Sequence, residues 1–136
     1  MIVEEIERVL RKYFNACHQE KGIAAVYLFG SVAHGTHREG SDVDLGVLSI
    51  VDPPPTFDAL PLDLEGDLET LLHMRVQLTV LNTAPADLRH RVLRDGRLIL
   101  DADRSARIRF EVRTRNEYFD LEPILREYRK LAKKGP

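Results

Sequence analysis

The chain has 136 residues, enough for one domain with a substantial buried core, and 20 Lys and Arg against 22 Asp and Glu leave a net charge of −2. That near-neutral balance argues against nucleic-acid binding driven by overall charge. No apolar run reaches membrane-spanning length, the acidic Val3-Glu4-Glu5 start is unlike a signal peptide, and the single cysteine, Cys17, cannot form an intrachain disulfide, so a cytoplasmic protein is expected.

Ile2, Ile6, Val9, Leu10, Tyr13, Phe14 and Cys17 recur at helical spacing, with Glu4, Glu5, Arg8, Arg11 and Lys12 on the opposite face. This predicts a first helix closed by Gly22, with Cys17 a packing residue rather than a nucleophile. Ile23 to Phe29 reads as a strand covered on both faces, and Val43 to Ile50 as a second strand. Asp52-Pro53-Pro54-Pro55 ends that strand, because prolines donate nothing to a ladder; the loop is a stiff spacer or a flap over the site. Leu60 to His73 is expected to be helical in two parts, weakened at Gly66, with Leu64, Leu68, Leu71 and Leu72 buried and Asp63, Glu65, Asp67 and Glu69 solvated. Arg75 to Leu81 alternates as a third strand, and Pro85 opens a helix to about Arg94, with Leu88, Val92 and Leu93 inward. After the turn Asp95-Gly96, Arg97 to Leu100 is a fourth strand at an edge. Asp103 is a good N-cap for a long helix to near Lys133, which Pro123 should kink or split. Ile108, Val112, Phe119 and Tyr128 follow its period, and Arg107–Glu111, Glu111–Arg115 and Arg113–Glu117 are expected ion pairs.

The chemistry concentrates between Leu28 and Leu45. An apolar run stops at Gly30-Ser31, a turn containing His34, Gly35, Thr36 and His37 follows, and Ser41-Asp42-Val43-Asp44-Leu45 opens the next strand. Asp42 and Asp44 are two apart on a strand and leave the same face. Two carboxylates on one face are costly unless a cation lies between them, and Mg²⁺ suits such oxygen donors. Glycine permits close approach of backbone to a ligand, and a serine opening a short helix offers a hydroxyl beside free N–H groups that suit phosphate.

Gly-Ser, a spacer and Asp-x-Asp together resemble the nucleotidyltransferase superfamily of polymerase-beta-like fold. The short chain and the segment Arg109 to Asp120 are similar to minimal nucleotidyltransferases paired with HEPN-domain partners. The resemblance implies an α/β (α+β) fold: a single nucleotidyltransferase domain with a mixed central sheet of about four strands flanked by helices. Its core would span about residues 1–102 and a helical tail about 103–133. By the same resemblance Asp42 and Asp44 hold Mg²⁺ or Mn²⁺, while Gly30, Ser31, Gly35 and Ser41 serve the nucleotide, with ATP as substrate. The family's third carboxylate falls at Gln77, whose amide brings no charge and cannot act as a base. His34, His37 and Arg38 are within plausible reach of the phosphates.

The implied activity is that of an antitoxin transferring AMP from ATP to a tyrosine of a HEPN toxin. Gln77 keeps open a catalytically impaired module that neutralises its partner by contact. A nucleic-acid-binding adaptor acting through the arginines of the tail is a third reading, which the charge balance and the lack of interleaved exposed aromatics weaken. No membrane partner is expected.

Overall fold

The computed structural model describes residues 2–38, 40–50 and 59–133. The Asp52–Pro55 loop lies outside the described residues. Helix α1 (Val3–Lys21) buries Ile6, Leu10 and Phe14 and ends at Gly22, whose φ of 67° is the left-handed cap expected there. Strand β1 (Ile23–Phe29), the single turn of helix α2 (Gly30–Ala33), strand β2 (Val43–Ser49), helix α3 (Ala59–Leu72) and strand β3 (Val76–Val80) follow. A 3₁₀ turn (Leu81–Thr83) leads to helix α4 (Ala86–Asp95), strand β4 (Arg97–Asp101) and helix α5 (Arg104–Lys133).

The four strands form one mixed sheet in the order β3-β2-β1-β4. Strand β1 runs antiparallel to both β2 and β4, whereas β2 and β3 are parallel. On one face Val26, Leu28, Val43, Leu45, Val47, Val76 and Leu78 pack with the α1 and α3 side chains. On the other, Ala25, Tyr27 and Leu48 meet Leu81, Val92 of α4 and Phe110 of α5. Alternation along β2 therefore sends Val43, Leu45 and Val47 to the first core, with Asp44 between them on the opposite side.

Helix α3 departs from expectation in a way that explains its acids. It is one helix rather than two, since Gly66 has open space around it and no packing that would break the turn. Leu71 is 49% exposed and leaves the buried stripe to Leu64, Leu68 and Leu72. Asp63, Asp67 and Glu69 are exposed as expected and Glu65 is half-buried, but Glu65 and Glu69 also carry backbone partners. Strand β3 is an edge, and its outward N–H groups donate to these carboxylates, Leu78 to Glu65 Oε1 (2.8 Å) and Val76 to Glu69 Oε1 (3.1 Å). Asp67 accepts from the Tyr13 hydroxyl at 2.8 Å, tying α3 to α1. The helix thus covers an edge that would otherwise be free to pair with another chain.

Helix α5 begins at its predicted cap, where Asp103 Oδ1 accepts from the Ala106 N–H. Its first half is fastened to the sheet and to α4. The Tyr27 hydroxyl donates to Glu111 Oε1 (2.8 Å), and Arg107 bridges Asp101 (2.9 Å) and Glu111 (3.1 Å). Glu111 also faces Arg115 at 3.9 Å as expected, but Glu117 pairs with Arg89 of α4 at 2.6 Å rather than with Arg113. The rings of His90 and Tyr118 stack at 3.5 Å. Phe110 and Thr114 face inward, whereas Ile108, Val112, Phe119 and Tyr128 are exposed. The helix continues unbroken through Pro123.

The edge contacts yield a stability test. Replacing Glu65 and Glu69 by Ala strands two backbone donors, so the double variant should lose about 2–4 kcal/mol in urea unfolding. Glu→Gln at both sites keeps an acceptor oxygen and should restore most of it, while Asp63→Ala should stay within about 0.5 kcal/mol of the parent.

Candidate active site

Strand register assembles the site. Phe29 of β1 is opposite Asp44 of β2, and Asp44 is opposite Gln77 of β3, so the three lie in one row across the sheet. Gln77 is thus the β3 residue in register with Asp44. Directly after Phe29 the chain turns into α2 through Gly30 at φ 76°, where a Cβ would overlap the Asp44 Oδ2. Only glycine lets the backbone come this close to the carboxylate.

The loop after α2 is closed by local bonds. Gly35, at φ 71°, donates to the Val32 carbonyl at 3.0 Å, and the Thr36 N–H donates to the Ser31 carbonyl at 3.0 Å. Nearer the acids, the Arg38 N–H donates to Ser41 Oγ (2.8 Å) and the Ser41 N–H to the Arg38 carbonyl (2.9 Å). The Val43 N–H donates to the Arg75 carbonyl at 2.8 Å, which fixes the start of β2 and holds Asp42 immediately before it.

A cleft of about 430 Å³ opens here, lined by Phe29, Gly30, His34, Asp44, Gln77, Thr79, Leu88, Arg91 and Asp95. Burial pushes the Asp44 carboxyl above its ordinary value, the Asp42 charge pushes it further, and Arg91 opposes both. Asp42 precedes β2 and is not among the residues lining this cleft, but its charge disfavours ionisation of Asp44. Asp95 is held below the usual carboxylate range, chiefly by hydrogen bonds from Arg94 at 3.0 and 2.8 Å. Ser31 is half-buried in α2 and is not among the residues lining this cleft. Ser41 lies in a second, larger cleft of about 800 Å³ with His37, Arg38, His73 and Arg75.

Sequence reasoning did not place Arg91, Asp95, Leu88 or Thr79 in the site, taking Leu88 for core packing and Asp95 for a turn residue. A signal was present: Leu88, Arg91 and Asp95 are three and four residues apart, a single stripe of α4 facing one direction.

A divalent ion fits the donor set, since two mutually repelling carboxylates offer hard oxygen ligands that such an ion would neutralise. Among the described residues, no group of three or more His, Cys, Asp or Glu is gathered for a metal, consistent with an amide standing at Gln77.

The family model described as polymerase beta, nucleotidyltransferase, matches residues 8–105. The chain belongs to this nucleotidyltransferase family. A relative, the protein adenylyltransferase MntA of Thermococcus cleftensis, is 31% identical over 100 residues, covering 70% of this chain and 93% of its own length. Among solved structures, a chain of a toxin–antitoxin with AMP-PNP superposes with a TM-score of 0.75 at 22% identity, covering 90% of this chain and 98% of that one. A chain from tri-AMPylated Shewanella oneidensis HEPN toxin in complex with MNT antitoxin gives 0.71 at 19% identity, covering 93% and 98%. At such identities the structural likeness speaks for the nucleotidyltransferase fold, which the mixed sheet and flanking helices share. No described helix is long and apolar enough to cross a membrane.

The Gly30 contact is testable by comparison with Gly35. Both glycines are left-handed, but a Cβ at Gly35 meets only Val3 Cγ2, at an ordinary 4.0 Å. Gly35→Ala should therefore cost the backbone strain alone, about 1–2 kcal/mol. Gly30→Ala adds displacement of Asp44 and should cost about 1–3 kcal/mol more by denaturant titration.

Proposed function

We propose that this protein transfers AMP from ATP to a tyrosine hydroxyl of a HEPN-domain partner, as a single nucleotidyltransferase domain with α5 as its partner-facing arm. The observation that carries the reading is Asp44, packed against the glycine that opens α2 and raised by the charge of nearby Asp42. The likeness to MntA supports protein adenylylation, and the likeness to toxin–antitoxin complexes supports the HEPN partner.

Asp42 and Asp44 would hold Mg²⁺ or Mn²⁺, which when bound neutralises their charge and polarises the phosphates. Gly30 and Ser31 present the start of α2 to the triphosphate, and Gly35 and Ser41 shape the loop that brings it to the acids. The tyrosine oxygen forms a bond to the α-phosphorus, the bond from that phosphorus to the bridging oxygen breaks, and pyrophosphate leaves with the electron pair. The phenolic proton passes to water in the open cleft. Gln77 favours a second reading, in which transfer is lost and the protein neutralises its partner by contact alone.

Labelled ATP with Mn²⁺ and the purified partner separates the two. Transfer of label to the partner supports the first reading, and absence of label with an intact complex supports the second. Where label transfers, Asp44→Ala and Asp42→Ala should each reduce it by about 10³-fold or more, in line with the loss of an essential electrostatic group. Survival of transfer in both variants would exclude the metal role given to them. Phe119 and Tyr128 are 70% and 71% exposed on α5, and replacing both by Asp should weaken partner binding at least 100-fold in a pull-down or calorimetric titration while leaving ATP binding unchanged.

A further inference from the structure

We infer that the second, larger cleft is a docking site for an acidic segment of the protein that accepts the adenylyl group. The inference rests on the protein-acceptor reading above and names a surface that such an acceptor would occupy in addition to α5.

The chain as a whole carries a net charge of −2, yet this cleft of about 800 Å³ is basic. His37 and Arg38 line it from the loop before β2, and His73 and Arg75 from the turn between α3 and β3. Among the described residues no Asp or Glu lines it, and Arg38 and Arg75 enter none of the salt bridges. Glu69, one turn before His73, is already engaged, its Oε1 accepting from the Val76 N–H at 3.1 Å. Positive charge gathered in this way without a counter-charge repels itself, and a bound anion removes the cost.

The two walls are held to each other. The Val43 N–H donates to the Arg75 carbonyl at 2.8 Å, joining the loop before β2 to the turn after α3. Reciprocal bonds between Arg38 and Ser41, at 2.8 and 2.9 Å, close the first wall. His73 shapes the second at φ 55°, a left-handed conformation that few residues other than glycine take. A cleft fixed before its ligand arrives costs less to fill.

Its position relates it to the reaction. Ser41 lines it and directly precedes Asp42, so the cleft ends where the acids that would hold the metal begin. It shares no lining residue with the cleft that contains Gly30 and Asp44, and a triphosphate seated at Gly30 leaves it open to the acceptor. Guanidinium forks take carboxylates two oxygens at a time, and clusters of arginine recognise acidic motifs. Half-buried Met74 adds an adaptable apolar contact that a bare phosphate would not use. No Phe, Tyr or Trp lines the cleft, so the bases of a single-stranded RNA would lack aromatic platforms on which to stack.

A fluorescein-labelled peptide of about 12 residues, composed of Glu, Leu and Tyr, should bind the full chain in an anisotropy titration without ATP or metal, and more weakly as salt rises. Gln at every Glu of the peptide should weaken binding about 10-fold or more. The double variant Arg38→Ala/Arg75→Ala should show a similar loss, with partial recovery in Arg38→Lys/Arg75→Lys, while its urea midpoint is unchanged and its AMP-PNP affinity stays within about 3-fold of the parent. Undiminished peptide binding by the double Ala variant, tighter binding of an oligouridine of about 12 nucleotides than of the acidic peptide, or AMP-PNP affinity falling together with peptide affinity would each overturn the inference and leave adenylyl transfer standing. Failure of label transfer to the purified partner, with peptide binding present in the parent and lost in the double Ala variant, would instead sink the transfer reading and leave the cleft as an acidic-segment site.

Discussion

The pairing register of three strands governs everything at this site. Val43, Leu45 and Val47 are fully buried on the α1–α3 side of β2, so Asp44 has only the other side to occupy. A slip of one residue would bury the carboxylate and expose the valines, a change that no single contact at the site would offset. Core packing, rather than any bond to Asp44 itself, therefore aims the acid. The same register brings Phe29 and Gln77 to its flanks, and Gly30 lets α2 begin against it. An otherwise costly pair of like charges is thereby held in place by apolar burial elsewhere.

The edge of the sheet matters to the same end. Gln77 and Thr79 line the cleft from β3, the outermost strand on that side. An edge strand held only by its inner neighbour is free to fray or to pair with another chain. Glu65 and Glu69 take up its outward N–H groups, and α3 packs Leu64, Leu68 and Leu72 beneath it. These acids are not among the residues lining the cleft, yet they stabilise the wall on which Gln77 sits.

Periodicity exposed much of this in advance. Strands β1 to β4, helices α1 and α4 and the Asp103 cap all follow from apolar spacing and turn residues, which are local signals, whereas the place of Gln77 came from the family resemblance alone. What escaped is non-local. Glu65 and Glu69 look like solvated charge until β3 is known to lie beside them, and Arg91 looks like one more surface arginine until α4 is docked over the cleft. Glu117 has a helical partner available in Arg113, but α4 offers Arg89 at shorter range once the two helices meet. Side-chain identity alone cannot rank a local partner above a distant one.

Helix α5 shows where folding ceases to account for sequence. As far as Tyr118 it is held by Glu111, Arg107, Glu117 and the ring stack on His90, contacts that join it to β1, β4 and α4. Beyond that point Phe119, Ile124, Tyr128 and Leu131 are all exposed, and Pro123 removes a backbone donor from the middle of the segment. Such a stretch gains little by helix formation in isolation, because nucleation is unfavourable and short helices are marginal in water. Large apolar side chains on it add a solvation cost that the sheet does not relieve. A protein under selection for its own stability alone would replace them by charge, as the outer face of α1 does with Glu4, Arg8, Arg11 and Lys12. Their grouping on one arm is the pattern of a contact surface.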